Sequence, residues 1–376
     1  MSGIYIHIPY CKKKCTYCNF HFRISQKDKI ELIKCLKKEI IQRKKELNKK
    51  KIKTIYFGGG TPSILKNSEL EELLNVIFKH HKTISFPEIT IECNPEDLNY
   101  ENLSSYKKIG FNRLSIGVQS FNNNELKLMN RSHDSKLAIQ SILLAKKIGF
   151  KNISIDLIYG IPNQELKDWK KSLKIMFNLN IQHFSAYILT VEKKTQLHHL
   201  IKNKTLNMLS DRKIINQFKF LELEAKKNGY IHYEISNFAK RDFYSKHNTS
   251  YWKSQNYLGI GPSAHSYFGN KRRWNVSSNK NYISKINTNN IYFQEEKLSL
   301  NNHYNEYIFT SLRTIWGVNN VIIKKRYGKK IETHFLKEIK KWKLKKYIIH
   351  NSNNYKLSLN GKIFSDTISS DLFMVS

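Results

Sequence analysis

The 376-residue sequence lacks long apolar runs and has few cysteines and few acidic residues. No run of about 18 consecutive apolar residues occurs, which excludes a conventional membrane-spanning helix. The opening residues MSGIYIHIPYCKKKC contain no basic segment followed by an apolar core, so no secretion or import signal is expected. We therefore expect a cytoplasmic protein. Its length suits one large domain plus a smaller one, or two to three modest domains.

Acidic residues are scarce: 30 Asp and Glu stand against 65 Lys and Arg, for a formal net charge of +35. A basic face releases counterions when it binds phosphates, so nucleic-acid binding is one explanation of this charge. The lysines are, however, spread over almost every predicted helix, and no recognition motif with interleaved aromatic residues accompanies them. Abundant Lys, Asn and Ile are also what AT-rich codons specify. We attribute the charge to composition and expect no nucleic-acid partner.

Only five cysteines occur, an odd count that does not suit a disulfide framework in a reducing compartment. Cys11, Cys15 and Cys18 lie within eight positions, and such clustering indicates metal binding. Cys35 falls in a lysine-rich helical stretch and Cys93 at a strand end. We interpret these last two as structural residues.

Short β-branched runs alternate with helical segments through the first half of the chain. The predicted strands are 4–8, 53–57, 88–93, 113–118, 152–159 and 183–189. The predicted helices are roughly 26–48, 68–80, 99–109, 123–129, 134–148 and 164–178. Repeated strand–helix units form a parallel sheet with right-handed crossovers, which defines an α/β fold. Six units are too few for a closed eight-unit barrel, so a partial barrel or a doubly wound sheet remains.

The unusual residues favour the barrel, because they fall at or just after the C-terminal ends of the predicted strands. They are Cys11, residues 58–62, Glu92, Gln119 and Asp156. Barrel active sites are assembled on that face. We therefore predict a partial (β/α)6 TIM-like barrel over residues 1–195.

The regular alternation of strand and helix patterns ends after about residue 195. A predicted helix near 210–228 is followed by a loop-like stretch, 240–275, that is rich in aromatic, Gly and His residues. From about residue 295 the pattern becomes helical, with a hairpin in YIIHNSNNYKLSL, whose Asn-rich turn separates alternating strands. We predict an extension of the barrel over 196–290 and a smaller C-terminal helical domain, resembling a winged helix, over 291–376.

The three clustered cysteines have the spacing C-x3-C-x2-C, which lets one loop wrap around a cubane cluster with each sulfur on a different iron. Zinc is the alternative, but zinc usually takes a second pair of ligands at short spacing, and no such pair is evident. We favour a 4Fe-4S cluster held by Cys11, Cys15 and Cys18. One iron then keeps an open position for a small-molecule ligand.

The cysteine loop resembles that of the radical S-adenosylmethionine proteins, in which the amino and carboxylate groups of S-adenosylmethionine chelate the fourth iron. The resemblance implies a six-unit partial barrel. YFGGGTP, residues 56–62, directly follows the second strand and resembles the strip that binds the methionine amino group in this family. Glycines without a Cβ let the backbone approach such a ligand closely.

Four further motifs resemble the oxygen-independent coproporphyrinogen III oxidase group of that family. They are IECNPE (91–96), GVQSF (117–121), LMNRSH (128–133) and IDLIYGIP (155–162). The resemblance implies contacts to S-adenosylmethionine from Tyr5, Gly60, Thr61 and Glu92. It also implies that the cofactor is enclosed by Tyr17, Gln119, Arg131 and Asp156, with Tyr17 stacked on the adenine.

Each of these residues also has a structural explanation. Glu92 and Asp156 are acids in apolar strands, where an unpaired carboxylate is costly, so each needs either the ligand or a structural partner. Gln119 could cap a strand end, and Arg131 could be a solvated surface cation. We interpret His7 as a hydrogen-bonded histidine inside the barrel.

The resemblance leaves two functions open. In the oxidase, an electron from the reduced cluster cleaves S-adenosylmethionine to a 5′-deoxyadenosyl radical, which takes hydrogen from propionate side chains of coproporphyrinogen III. A haem chaperone of the same group instead carries haem to a haemoprotein. Oxidases extend the cysteine loop with a further cysteine where this chain has Phe20, whereas the chaperones have the shorter loop.

The stretch SKHNTSYWKSQNYLGIGPSAHS, residues 245–266, also resembles the chaperones, which carry an H-N-x-x-Y-W element proposed to bind haem. His247 and Tyr251 match that element, with Asn248 and Trp252. Imidazole or phenolate can ligate haem iron, although a histidine in an aromatic loop is more often structural. We expect a haem chaperone that holds the cluster, S-adenosylmethionine and haem, and we assign no catalytic residue.

That function implies several partners. They are haem, an acceptor haemoprotein that the sequence does not identify, and a reductant for the cluster. A membrane-associated acceptor and a homodimer are both compatible with it. Turnover as an enzyme is not expected, and productive cleavage of S-adenosylmethionine is left open.

Overall fold

The computed structural model describes residues 2–47 and 50–375. Six parallel strands, adjacent in sequence order, form its centre. They are β1 (Ser2–Ile8), β2 (Ile52–Gly59), β3 (Thr83–Cys93), β4 (Arg113–Gln119), β5 (Ile153–Tyr159) and β6 (His183–Ile188). All six predicted strands are confirmed, and so is the partial barrel that they form.

Helices connect these strands and cover the outside of the barrel. They are α1 (Lys29–Gln42), α2 (Asn67–His80), α3 (Tyr100–Ile109), α4 (Asn123–Leu128), α5 (Ser135–Ile148) and α6 (Leu166–Asn178). α1 is shorter than the predicted helix 26–48, of which residue 48 lies outside the described residues. Gly110 and Gly149 end α3 and α5 with φ of 114° and 95°, the left-handed conformation that favours glycine.

The alternation of side chains in β1 explains why the barrel has a polar interior. Ile4, Ile6 and Ile8 are at most 1% exposed and join the hydrophobic core on the helix-covered side. Tyr5 and His7 point to the opposite face, because successive strand residues alternate. Burial of each isoleucine stabilises the fold by about 1.5–3 kcal/mol. The outer face therefore holds the sheet to the helices, and the inner face is left for polar residues.

The chain after β6 extends the sheet at both edges, giving twelve strands in all among the described residues. In chain order its elements are α7 (Gln196–Lys202), α8 (Asp211–Lys227), β7 (Ile231–Glu234), β8 (Asn237–Ala239), α9 (Lys246–Trp252), β9 (Asn256–Ile260), β10 (His265–Tyr267), β11 (Lys271–Asn275), α10 (Asn279–Asn287) and β12 (Phe293–Lys297). β8 pairs antiparallel with β6, and β9 pairs parallel with β1.

The prediction of a loop over residues 240–275 is wrong, because α9 and β9 to β11 lie there. These elements are three to seven residues long, too short to show a clear period of their own. They are held by their neighbours instead. Leu258 and Ile260 of β9, for example, are fully buried beside β1.

The C-terminal residues form a second hydrophobic core, which includes Phe335 and Trp342. Its elements are α11 (Leu300–Leu312), β13 (Val318–Asn319), α12 (Asn320–Tyr327), α13 (Lys329–Leu344), β14 (Ile348–Asn351), β15 (Asn354–Leu357), α14 (Leu359–Ile363) and α15 (Ser365–Asp371). β14 and β15 form the predicted hairpin, and β13 pairs with β15. The order of helix, strand, two helices and hairpin resembles a winged helix, as predicted. The three domain boundaries remain predictions.

Among the described residues, no helix has both the length and the apolar character needed to cross a membrane.

Candidate functional site

A cavity of about 930 Å³ opens at the C-terminal ends of the barrel strands. All three clustered cysteines line it, together with seven of the ten predicted cofactor-binding residues. These seven are Tyr17, Gly60, Thr61, Glu92, Gln119, Arg131 and Asp156. Cys11 and Asp156, which are 145 positions apart in the chain, therefore share one cavity wall. Their individual roles remain predictions.

The cysteine loop is held against the end of α4 and the segment that follows it. Thr16 donates from its backbone N to the carbonyl of Met129 (3.3 Å) and from its hydroxyl to the carbonyl of Leu128 (3.1 Å). Asn130 donates from Nδ2 to the carbonyl of Lys14 at 2.7 Å. These bonds fix the loop on both sides of Cys15, so the sulfur positions do not depend on a free surface loop.

Two of the sulfurs accept hydrogen bonds from residues that the sequence singled out. Thr61 Oγ1 donates to Cys11 Sγ at 3.4 Å, and Arg131 Nη1 donates to Cys15 Sγ at 3.3 Å. Burial raises the pKa of the Cys11 thiol to about 11, and the hydrogen bond from Thr61 acts in the opposite direction. Donors of this kind stabilise the thiolate form that binds metal.

The donor set fits a cubane cluster. All five cysteines are free thiols, and three of them face the same cavity. Within residues 2–47 and 50–375, no three His, Cys, Asp or Glu side chains are grouped as the ligands of a single metal ion would be. A cubane carries its irons at separate corners, so the thiolates that hold it are not expected to converge on one ion.

The glycine strip packs against the end of β1, which brings Thr61 to the cysteine loop. Gly60 donates from its backbone N to the carbonyl of Ile8 at 2.8 Å. A Cβ on Gly60 would lie 2.6 Å from the carbonyl oxygen of Tyr10, and one on Gly59 would lie 2.6 Å from the His7 ring. Only glycine permits this approach, because backbone atoms cannot give way as a flexible side chain can.

Glu92 and Asp156 place two carboxyl groups in the cavity wall. Glu92 accepts from Tyr56 Oη at 2.8 Å and from the backbone N of Gly59 at 3.2 Å. Burial raises the pKa of Glu92 to about 7, and the hydrogen bond from Tyr56 acts in the opposite direction. Burial also raises the pKa of Asp156. Two half-buried carboxyl groups in one cavity wall favour a ligand that carries a positive charge.

The structure places Arg131 in the cavity wall and not at the surface. Its Nη2 donates to Asn94 Oδ1 at 2.7 Å and to the carbonyl of Gly117 at 2.8 Å. Asn94 also donates from Nδ2 to Thr61 Oγ1 at 3.3 Å, so it links the two residues that contact sulfur. Asn94 was not singled out from the sequence. The available signal was its position directly after β3, inside the motif IECNPE.

Gln119 is aimed into the cavity by an irregular strand end. Its φ is 67°, in the left-handed region that non-glycine residues rarely adopt. The pairing of β4 with β5 also shifts register between Ile116 and Gln119. Bulges of this kind commonly redirect a side chain next to a functional site. Tyr17 lines the same cavity from the cysteine loop.

Tyr5 lies behind the cavity wall and does not line it. Its hydroxyl is 3.0 Å from His7 Nδ1, and His7 Nε2 is 3.0 Å from the carbonyl of His21. The Tyr5 ring stacks on Tyr56 with 6.1 Å between centroids. His7 is therefore the hydrogen-bonded barrel histidine that the sequence predicted. Tyr5 and Glu92 both pack around Gly58, where a Cβ would lie 3.0 Å from each of them.

His247 and Tyr251, the predicted haem contacts, do not line the cavity. His247 is 1% exposed and lies on α9, against Gly3 and Thr54 near the opposite, N-terminal ends of the strands. Its Nδ1 is 2.8 Å from Thr54 Oγ1, and its Nε2 is 2.7 Å from Tyr251 Oη. Both ring nitrogens are therefore engaged by protein groups. The haem roles of these residues remain a prediction.

The outer part of the cavity has an apolar wall that the sequence reasoning missed. Phe20, Tyr187, Ile188 and Phe364 all line the cavity and are between 41% and 71% exposed. Phe364 directly follows α14 and lies more than 340 positions from Phe20. No local sequence pattern indicates that such distant residues meet. Large apolar side chains left exposed in one concave wall mark a binding surface.

The chain matches the family model of the Radical SAM superfamily over residues 5–176. This region contains the cysteine loop, the glycine strip and β1 to β5, apart from the first residues of β1. The solved structure of coproporphyrinogen III oxidase, HemN, from Escherichia coli shows the same fold, with a TM-score of 0.87 and 22% identity over 99% of this chain and 90% of that one. Fold and site together define a radical S-adenosylmethionine protein. Membership of this superfamily implies a 4Fe-4S cluster and S-adenosylmethionine.

Two curated relatives identify the family of the chain within this superfamily. The chain is 34% identical over 372 residues to the protein named heme chaperone HemW of Bacillus subtilis, and the alignment covers 98% of both chains. It is 33% identical over 375 residues to the protein of the same name from Buchnera aphidicola subsp. Schizaphis graminum, over 97% of this chain and 96% of that one. The chain therefore belongs to the HemW family.

Proposed function

We propose that the protein is a haem chaperone that binds haem and a 4Fe-4S cluster carrying S-adenosylmethionine, and that it transfers haem to an acceptor haemoprotein. The observation that carries this proposal is the similarity to relatives named heme chaperone HemW over nearly the full length of both chains. Such coverage includes the barrel, its extension and the C-terminal core.

Within the chain, Cys11, Cys15 and Cys18 would hold the cluster, which leaves one iron for S-adenosylmethionine. When bound, the cluster supplies an electron to S-adenosylmethionine. The residues of the chain would bind and orient the cofactor. Glu92 would accept a hydrogen bond from the amino group of S-adenosylmethionine beside the glycine strip, and Arg131 donates to Cys15 Sγ. Tyr17, Gln119 and Asp156 would enclose the remainder of the cofactor.

The outer wall of the cavity offers a surface for a second ligand. The cavity volume of about 930 Å³ lies at the upper end of ligand pockets, which are commonly about 300–1,000 Å³. We propose that haem packs against the apolar wall formed by Phe20, Tyr187, Ile188 and Phe364. The sequence-based location at His247 and Tyr251 is the alternative, and haem titration distinguishes the two.

A matched pair of phenylalanines tests this location. Phe20 is 71% exposed and lines the cavity, whereas Phe86 is 87% exposed near the N-terminal end of β3 and is not among the cavity-lining residues. Phe20→Asp is expected to weaken haem binding by about tenfold, roughly the effect of losing one buried aromatic contact. Phe86→Asp is expected to leave haem affinity unchanged. Equal affinity for the two variants would exclude the cavity wall as the haem site.

Transfer is tested with the cluster-loaded protein, saturated with haem and mixed with the apo form of a soluble b-type haemoprotein. The Soret band of the acceptor should appear, and the chaperone should lose its haem in the same proportion. Haem that never leaves the chain would contradict the chaperone function. The reductant and the native acceptor, whether soluble or membrane-associated, belong to the same proposal, as do a cytoplasmic location and a homodimer.

The second candidate is oxygen-independent coproporphyrinogen III oxidase. The structural likeness to that enzyme supports the fold alone, because the sequence identity is 22%. By the resemblance of the cysteine loops, Phe20 occupies the position at which the oxidases have a further cysteine. We therefore keep oxidase activity as an outcome to be measured and not as the proposed function.

A further inference from the structure

The N-terminal end of the barrel is closed by α9. Glu88 of β3 accepts two backbone hydrogen bonds from the first turn of this helix, from Lys246 N at 3.2 Å and from His247 N at 3.0 Å. The residue before the helix, Ser245, donates from its backbone N to Tyr233 Oη at 3.3 Å. The helix is therefore fixed by side chains that project from the sheet.

The His247 side chain enters the barrel from this helix and meets β1 and β2. Its ring stacks on the Tyr56 ring, with centroids 4.9 Å apart and planes at 25°. Thr54 Oγ1 and Tyr251 Oη hold its two nitrogens at 2.8 Å and 2.7 Å. Burial lowers the pKa of His247 to about 3, so the imidazole is neutral near pH 7.

The imidazole packs closely against β1. A Cβ on Gly3 would lie 2.7 Å from Thr54 Oγ1 and 3.2 Å from both Cε1 and Nδ1 of His247. A glycine in β1 is therefore what allows the ring to lie against this strand. Ligation of an iron by Nε2 would require the ring to release the Tyr251 hydroxyl.

The contact with Tyr56 connects α9 to the cavity. Tyr56 stacks on His247 with its ring and donates from its hydroxyl to Glu92 Oε1 at 2.8 Å. A Cβ on Gly58 would lie 2.9 Å from Tyr56 Cε1 and 3.0 Å from Glu92 Oε1, so this pair is also closely packed. The imidazole, the phenol and the carboxyl group form one continuous line through the barrel interior.

We propose that His247 is a positioning residue for cofactor binding: it fixes the ring of Tyr56, and Tyr56 in turn orients the Glu92 carboxylate in the cavity. This inference rests on the proposed function in one respect, that Glu92 binds S-adenosylmethionine. It assigns α9 to the cofactor site at the other end of the barrel and not to haem ligation.

The test is a double-mutant cycle on the anaerobically cluster-loaded, full-length protein. The variants are His247→Ala, Glu92→Gln and the combination of the two. The readouts are the dissociation constant of S-adenosylmethionine, the change in the electron paramagnetic resonance spectrum of the reduced cluster when S-adenosylmethionine is added, and the dissociation constant of haem. Lys246→Ala, an exposed side chain on the same helix, is the control.

We expect His247→Ala to weaken S-adenosylmethionine binding by about tenfold, the size of one lost hydrogen bond of average strength. In a protein that already carries Glu92→Gln, adding His247→Ala should weaken S-adenosylmethionine binding by less than about twofold. The effects of two residues that act through one another are not additive. Haem affinity and the properties of Lys246→Ala should be unchanged. His247→Phe keeps a ring on Tyr56 and should restore part of the loss.

Three results would overturn the inference. A loss of haem affinity with unchanged S-adenosylmethionine binding would make His247 a haem ligand. Equal effects of His247→Ala in both backgrounds would make its role purely structural. Unaltered binding of both ligands would remove any role. If His247→Ala does not fold, Tyr251→Phe, which removes only one hydroxyl, replaces it in the cycle. Failure of the unmodified protein to bind S-adenosylmethionine would instead count against the proposed function.

Discussion

The Arg131 guanidinium donates to Cys15 Sγ at 3.3 Å, across 116 positions of sequence. The same guanidinium donates to Asn94 and to the carbonyl of Gly117, so one side chain joins the cysteine loop to the ends of two neighbouring strands. The parallel order of β3 and β4 makes this contact possible, because their C-terminal ends lie side by side. Arg131 thus couples the fold of the barrel to the electrostatics of the cysteine loop.

Replacing Arg131 by Met should lower the reduction potential of the cluster. Reduction adds negative charge, and the variant lacks the positive donor that stabilises it. If that hydrogen bond is worth about 1.4 kcal/mol, the potential should fall by about 60 mV. Redox titration of the two proteins measures the shift. Arg131→Lys should recover only part of it, because an ammonium lacks the planar fork of donors; an unchanged potential in Arg131→Met would contradict the coupling.

Replacing Cys15 by Ala should remove the visible absorption of the reconstituted cluster, since one iron loses its thiolate. Cys35→Ala is the matched control. Cys35 is fully buried in α1, and its sulfur contacts Ile283 and Asn287 outside the cavity. The control should retain the full iron and sulfide content. Absorption that survives in Cys15→Ala, or that disappears in Cys35→Ala, would show that the ligands are assigned to the wrong residues.

Replacing Gly60 by Ala should destabilise the protein and disturb the site. The new Cβ would meet the backbone of Tyr10 at 2.6 Å and 2.8 Å, so the strip must shift as a whole. Overpacking of this kind costs about 1–3 kcal/mol. Urea unfolding of the cluster-free protein measures the cost. Gly229→Ala is the control: it adds strain at a φ of 77°, which Gly60→Ala does not, and meets no atom within 4 Å, so it destabilises the protein without crowding the site. S-adenosylmethionine affinity should fall in Gly60→Ala and not in the control.

Glu92 predicts a pH dependence of stability. Folding raises the pKa of its carboxyl group to about 7, so between about pH 4.3 and 7 the folded state holds a proton that the unfolded state has released. The free energy of unfolding should therefore decrease as the pH rises through this window, by about 4 kcal/mol in total. Glu92→Gln should abolish this dependence and be the more stable protein above pH 7. Urea unfolding at pH 5 and pH 8 compares them.

Glu92 should also make the binding of S-adenosylmethionine depend on pH, in the direction opposite to that of stability. The amino group of the cofactor prefers the ionised carboxylate, so the affinity for S-adenosylmethionine should fall as the pH drops below about 7.

The stability prediction has its own contradicting result. If the Glu92→Gln protein keeps the pH dependence of stability of the unmodified chain, another group causes that dependence.

The barrel and the cysteine site could be predicted from the sequence because both depend on short-range patterns. The six strands have apolar alternation or apolar runs of ordinary length, and Cys11, Cys15 and Cys18 lie within one loop. Gly60 and Glu92 lie at strand ends. The C-terminal ends of parallel strands lie side by side whatever the length of the helices that connect them, so such residues come together. The resemblance to radical S-adenosylmethionine proteins then indicated the ligands expected at these positions, a 4Fe-4S cluster and S-adenosylmethionine.

The other features depend on packing between distant segments, which no local pattern encodes. α9 and β9 are short and held by neighbouring strands, so residues 240–275 resembled a loop. No local pattern shows that the His247 ring is buried against Thr54, because aromatic surroundings are the same in a binding loop and in a core. Phe364 reaches the cavity only because the second core packs beside the barrel.

The most direct measurement is made on one anaerobically reconstituted preparation that is both titrated with haem and assayed for conversion of coproporphyrinogen III to protoporphyrinogen IX. The account predicts stoichiometric haem binding and no conversion of the porphyrinogen. Multiple turnovers of coproporphyrinogen III without haem binding would contradict it and identify the protein as an oxidase.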